Sequence, residues 1–254
     1  MSAPVPWGRW LIIIILVNGA RLKVFFVLAV VVLGLTAWWW QWGSRCAQTV
    51  VEPIYQGDPD DKSIALTCNV FWGEEYVVPM LEILTKEQVR TTFFIGGTWA
   101  KKFPGLVREM TGRGHEIGSH GYSHPHPDGL SKDANRLEIN KAGEILQDIT
   151  GVKPSLFAPP YGERGAAVLQ AAEESGYRTI LWSIDTIDWQ RPGAEVIINR
   201  VLTKAHNGGI VLMHPTEPTV QALPAIIEGL RERGFELITV GEMLEREEDK
   251  NMAP

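Results

Sequence analysis

The chain has 254 residues, 45% hydrophobic and 21% charged, which excludes a disordered or fibrous protein and leaves room for one large domain or two small ones. Its net charge of −6 is unevenly divided: residues 1–44 carry Arg9, Arg21 and Lys23 and no acid, so residues 45–254 hold 21 basic and 30 acidic side chains and a charge of −9. A domain that acidic lacks the basic face of a nucleic-acid binder.

Trp10–Val17 is apolar but too short to span a bilayer. Val24–Trp40 is a run of 17 uncharged residues, which at about 1.5 Å per residue approaches a hydrocarbon core of ~30 Å. Arg21 and Lys23 precede it, and Trp38, Trp39, Trp40 and Trp42 occupy its far end, where indole rings favour the membrane interface. This predicts a short cytoplasmic tail over 1–23 and one transmembrane signal anchor over 24–42, with the remainder on the extracytoplasmic side of the membrane. A cleaved signal peptide is the alternative, but tryptophans stand where a small-residue cleavage site belongs. Residues 43–62, with Pro53, Gly57, Asp58, Pro59, Asp60 and Asp61, read as a turn-rich linker. Cys46 and Cys68 are too few for a disulfide framework or an all-thiolate zinc site and are read as unpaired.

The globular domain is expected over 63–248. Strands are predicted at Ser63–Val70, Thr91–Ile95, His115–Ser119, Ser155–Ala158, Thr179–Ser183, Ile210–Met213 and Glu236–Thr239. Helices are predicted between them at Met80–Gln88, Pro104–Arg113, from the N-cap Ser131 to before Gly151, Ala166–Ser175, Ala194–Ala205 and Leu223–Arg233, with Gly241–Glu248 last. About seven alternations predict an α/β fold of parallel strands covered by helices, either doubly wound or closed as a barrel.

The residues that carry chemistry follow strand ends: Asn69, then His120 and His124, Tyr161, Asp185 and Asp188, and His214. In parallel α/β folds active sites gather at C-terminal strand ends, and a barrel brings five such clusters to one centre most easily. His120 and His124, four apart, suit one metal ion or simply an exposed loop. A carboxylate such as Asp188 bonded to His214 would fix its tautomer and let it act as a general acid, and a buried strand-end histidine is the plain alternative. Ala158-Pro-Pro-Tyr-Gly162 is a rigid turn able to aim backbone N–H groups at an oxyanion, or a mere connection. Glu74 and Glu75 are the carboxylates that follow the first strand. His115, His126 and His206 read as surface or structural residues.

Taken together, GHEIGSHGYSHP, FAPPYG, WSIDTIDW and IVLMH resemble, in order and spacing, the motifs of the polysaccharide deacetylase family, the NodB-homology domain of carbohydrate esterase family four, over about Ser63 to Leu244. The resemblance implies a distorted (β/α) barrel and a divalent metal, commonly zinc. It also implies removal of acetyl groups, by hydrolysis of a carbon–nitrogen bond, from a peptidoglycan or chitin-like cell-wall polysaccharide. It assigns the metal to His120 and His124, and the general acid to His214 oriented by Asp188. The oxyanion donor falls to Tyr161 after Pro160, and the acetyl pocket to Trp189 and Leu212.

Three positions depart from the family pattern. Where the family has Thr-Phe-Asp-Asp-Gly, this chain has Thr67-Cys68-Asn69-Val70. Asn69 therefore stands at the general base's position without the ability to take a proton, and Val70 replaces the third metal ligand. Ala158 replaces the arginine that pairs with the base. Asn-Val-Phe-Trp-Gly-Glu-Glu resembles a variant first motif of sporulation-associated members. The expectation is a membrane-bound deacetylase with a weakened metal site, in which Glu74, Glu75 or a metal hydroxide replaces the base. The alternatives are a glycan-binding pseudoenzyme and, beyond that, a scaffold for protein contacts.

Overall fold

The computed structural model describes residues 26–36, 38, 39 and 52–252, and the chain divides into two units, Met1–Val50 and Val51–Pro254. In the first unit the described residues form a helix, α1, over 26–36 with 38 and 39, and Phe26, Leu28, Leu33 and Trp39 on it are exposed. Among the described residues no helix is long and apolar enough to cross a membrane. The rest of the expected anchor, residues 24, 25, 37 and 40–42, lies outside the described residues, as do the tail over 1–23, Cys46 and the linker residues 43–51.

The second unit is built on eight parallel strands: β1 (Ser63–Val70), β2 (Thr92–Ile95), β3 (Glu116–Ser119), β4 (Leu156–Phe157), β5 (Arg178–Thr179), β6 (Ile184–Asp185), β7 (Gly209–Met213) and β8 (Glu236–Ile238). Its helices are α2 (Glu74–Lys86), α3 (Gly97–Lys102), α4 (Pro104–Gly112), α5 (Lys132–Thr150), α6 (Ala166–Glu174), α7 (Ala194–Lys204), α8 (Glu217–Glu232) and α9 (Val240–Met252). The strand order is β5-β4-β3-β2-β1-β7-β6. β1 pairs with β7 along one edge; along the other it pairs with β8 at Ser63–Ala65 and with β2 at Thr67–Val70.

The two ends of this order, β5 and β6, are joined by residues 180–183 alone. Four residues reach at most about 14 Å, so the sheet has to curl until its edges nearly meet. Of the expected strand Thr179–Ser183, only Thr179 lies in a strand, at the end of β5; residues 180–183 form the seam, and β6 begins after them at Ile184. Ile54 fills the lower seam: its N–H donates to the Thr179 carbonyl (2.8 Å) and its carbonyl accepts from Leu181 (2.7 Å), while Gln56 bridges to Gly209. Residues 54–57, read above as linker, are therefore part of the barrel wall. The α/β fold of parallel strands is as expected, with the barrel left open between β5 and β6.

A strand buried on both faces reads as one apolar run, and β1 is buried throughout. Ile64, Leu66, Cys68 and Val70 pack outward beneath α2, α7 and α8, whereas Ala65 joins Phe94, Leu156, Ala158, Ile180, Ile210 and Ile238 inside. Ser131 caps α5 by accepting the Ala134 N–H (3.2 Å), and Gly151 at φ 81° ends it, as expected. α8 starts six residues before the predicted Leu223 because Thr216 caps it, accepting the Thr219 N–H (3.2 Å), and Pro218 falls in the first turn, where its missing N–H costs nothing.

Gly143 of α5 is required by its neighbour: a Cβ there would lie 1.9 Å from the buried Tyr177 hydroxyl. On an open helix face Gly→Ala gains about 1 kcal/mol. Here overpacking outweighs that gain, and Gly143→Ala is expected to destabilise the domain by about 1–2 kcal/mol in urea unfolding. Among the described residues the Tyr177 hydroxyl has no hydrogen-bond partner, so Tyr177→Phe should restore most of the loss. A double variant as unstable as the single one would refute this contact.

Candidate functional site

The C-terminal strand ends open into one cavity of about 520 Å³. Its lining comes from β1 and its exit (Asn69, Phe71, Trp72), the loop after β3 (His120, His124), the turn after β4 (Tyr161, Gly162) and the seam (Trp182). β6, β7 and their exits supply Asp185, Trp189, Leu212 and His214. Four of the five non-glycine residues at positive φ among the described residues sit in these loops: His124 (59°), Tyr161 (58°), Ile187 (52°) and Arg191 (52°). Such backbone is costly for a β-branched residue like Ile187. Asp185 Oδ1 helps to hold it by accepting the Ile187 N–H (2.8 Å). Between Ile187 and Arg191, the short turn Asp188–Gln190 sends Asp188 inward and leaves Trp189 exposed.

Asp188 is fully buried and accepts three hydrogen bonds. His214 Nδ1–H donates to Oδ1 (2.7 Å), while the His214 backbone N–H and the Thr219 hydroxyl donate to Oδ2 (both 2.6 Å). The imidazole is thereby fixed in orientation and tautomer, with Nε2 opposite the carboxylate. Asp188 stands behind His214 rather than in the cavity wall. Trp72 lies over the other side of the group, parallel to the His214 ring at 5.7 Å.

His120 Nδ1–H donates to the Ala158 carbonyl (2.7 Å), which leaves Nε2 without a proton. Burial holds its pKa down to about 3, with the neighbouring His124 reinforcing the shift. His124 is lowered as well, chiefly by burial. Both rings are neutral at physiological pH, with centroids 4.9 Å apart. Two neutral imidazoles suit a cation, but the third donor is missing. Val70 is packed in the outer apolar layer, and Phe71 brings a ring 4.6 Å from His124. Among the described residues no group of three or more His, Cys, Asp or Glu side chains is placed to hold a metal ion. The donors present do not fit the divalent metal that the resemblance implies.

Asn69, His120, His124, Tyr161, Trp189, Leu212 and His214 thus meet around one cavity. Pro160 is buried within the turn and shapes it without lining the cavity. In the turn, Gly162 and Glu163 give their N–H groups to the Pro159 and Pro160 carbonyls (3.1 and 3.2 Å), and prolines have none, which leaves Tyr161 N–H as the turn's donor. Glu74 is 3.9 Å from Lys102, and neither Glu74 nor Glu75 lines the cavity, so the substitute base is not there. Ala158 belongs to the inner apolar cluster. His115 is buried and structural, accepting the Thr91 N–H at Nδ1 (3.2 Å). Sequence reasoning missed Phe71, Trp72 and Trp182 as wall residues. The available signal was position: Phe71 and Trp72 follow a strand end directly.

Residues 56–180 match the family described as polysaccharide deacetylase. YlxY of Bacillus subtilis is 43% identical over 194 residues, 76% of this chain and 61% of YlxY. A peptidoglycan-N-acetylglucosamine deacetylase of Bacillus cereus is 33% identical over 201 residues, 77% of this chain and 73% of the relative. The crystal structure of wild-type BA3943, a CE4 family pseudoenzyme from Bacillus anthracis, superposes with a TM-score of 0.75 at 40% identity, covering 77% of this chain and 70% of that one. A BA3943 mutant with restored enzymatic activity also superposes at 0.75, with 38% identity over 77% of this chain and 72% of the mutant. With a third to two fifths of its residues identical over three quarters of its length, the chain belongs to the polysaccharide deacetylase family, carbohydrate esterase family four.

Proposed function

We propose that the chain binds an N-acetylated cell-wall glycan in this cavity without hydrolysing it at a deacetylase's rate. One observation carries the reading: the side chains that β1 and its exit present to the cavity are an amide and two aromatic rings, Asn69, Phe71 and Trp72, instead of carboxylates. Asn69 cannot take a proton from water. Loss of a general base costs about 10²–10⁴ in rate, before any loss of metal is counted.

The remaining groups are those that hold an acetyl sugar. Leu212 and Trp189 give the acetyl methyl an apolar wall, and Tyr161 N–H meets the carbonyl oxygen. Trp72 and Trp189, both exposed, offer faces to the sugar ring. His214, held by Asp188, stands where a leaving amine would be protonated, so the acid half is intact while the base half is not. The likeness to a pseudoenzyme of the same family, and to a mutant of it with restored activity, supports this reading. The uncharged run Val24–Trp40 behind Arg21 and Lys23 supports a membrane tether that places this domain at the wall.

Wild-type protein is expected to bind N-acetylglucosamine oligomers by calorimetry while releasing acetate no faster than background. Asn69→Asp, Val70→Asp and Ala158→Arg together restore the family pattern, with the carboxylate at position 70 turning at the end of the strand from the outer layer toward the cavity, and should raise zinc-dependent acetate release at least ~100-fold. Wild-type release within tenfold of the triple variant would overturn the loss of hydrolysis. Trp72→Ala should keep the fold by circular dichroism and weaken oligomer binding by about 0.5–1.5 kcal/mol, the scale of one stacked ring; unchanged affinity would remove Trp72 from the site.

A further inference from the structure

His126 and Glu163 belong to neither half of the cavity, yet they build its rim. The His126 ring lies parallel to Tyr161, with centroids 3.9 Å apart and planes at 12°. Tyr161 in turn meets His124 edge-on at 4.7 Å. The stack is therefore continuous with the cavity wall.

Hydrogen bonds fix it in place. His126 Nδ1–H donates to Glu163 Oε1 (2.7 Å), and Glu163 Oε2 accepts the Asp128 N–H (2.8 Å). Asp128 Oδ1 accepts the Gly165 N–H (2.6 Å). These bonds run back and forth between the loop after β3 and the turn after β4, and make one rim of the two. The His126 ring is held without being covered: its side chain is 67% exposed, and Tyr161 is 57% exposed.

A core contact would bury such a ring, and a solvated loop histidine would leave it free to rotate. This one is both oriented and bare. Aromatic faces carry partial negative charge and attract weakly positive C–H groups, which the flat side of a pyranose ring presents in a row. A face fixed beforehand has little freedom left to lose on binding.

We propose that His126, stacked on Tyr161 and held by Glu163, is the platform for the sugar ring adjoining the one whose acetyl group enters the cavity. The site therefore selects an oligosaccharide over a single N-acetyl sugar. This inference rests on the glycan-binding reading above.

The test is calorimetric titration of the full chain in detergent with N-acetylglucosamine and with its chitin tetramer. Wild type is expected to bind the tetramer at least about tenfold more tightly than the monosaccharide. His126→Ala should weaken tetramer binding about tenfold and leave the monosaccharide unchanged. His126→Phe keeps a ring without the Nδ1 bond, and should hold tetramer affinity within about threefold of wild type. Equal wild-type affinity for the two ligands, a His126→Ala protein that binds both as wild type does, or a His126→Phe protein as weak as His126→Ala each overturns the platform while leaving the cavity's glycan binding standing. Absence of binding to either ligand by wild type overturns the glycan reading and the platform with it.

Discussion

The period-two alternation of β1 is the constraint on which the site depends. This strand is paired along both edges and buried on both faces, so each of its side chains is committed to one layer or the other. Ile64, Leu66, Cys68 and Val70 anchor the outer layer against α2, α7 and α8. Asn69 then has to face the cavity, at the level where the barrel meets water. A slip of one residue would exchange these faces and drive an amide into the apolar layer, so the outer packing keeps the register in place. The same constraint explains the incomplete metal set. The two imidazoles arrive from the loop after β3, and β1 answers them with an amide, an outward-facing valine and then Phe71.

The replaced groups depart together because their charges depend on one another. An arginine at position 158 would sit in the inner cluster with Phe94, Leu156 and Ile180. Without a carboxylate opposite it, that charge would be buried and unpaired, at a cost of several kcal/mol. Alanine removes the cost, and its carbonyl still accepts from His120. His120 and His124, held neutral by burial, add no charge either. On the other side of the cavity the polar groups are kept in full. Asp188 has three donors around it, and loss of any one partner would leave a buried carboxylate short of a hydrogen bond. One half of the site is thus neutral and aromatic, and the other is a carboxylate–imidazole cluster with its hydrogen bonds satisfied.

The fold was legible where periodicity is strong. The apolar run of β1, the capped α5 between Ser131 and Gly151, and the alternation of strands and helices all show in the residues. The seam did not show, because Thr179–Ser183 has one strand's composition but is split by barrel curvature between two sheet edges. The start of α8 did not show because its first turn holds Pro218, a residue tolerated there but no signal for a helix interior. The histidines, Asp188, Trp189 and Leu212 were legible because motif spacing placed them at strand ends. Phe71 and Trp72 were not, since apolar residues beside a strand look like core, and only the loop path turns them toward the cavity. The Glu163–His126 bond was beyond reach for another reason: its partners are 37 residues apart, on loops whose approach depends on the strand order.

Catalysis requires contacts that are stronger in the transition state than in the ground state. A base and a metal supply such contacts, because proton transfer and developing charge exist only on the way to reaction. Stacked rings and apolar walls do not, since they hold the sugar equally well before and during attack. With Asn69 and Val70 in place of carboxylates, and Phe71 and Trp72 beside them, the glycan-binding reading proposed above directs the site's interaction energy to the sugar itself rather than to the reacting carbonyl. A general acid, which acts only after a tetrahedral intermediate has formed, has no part in such binding, but the fixed ring of His214 still shapes the pocket. On that reading the cavity keeps contacts to the sugar while losing the groups that would speed attack. On the same reading His214, oriented by Asp188 behind it, belongs to the binding surface.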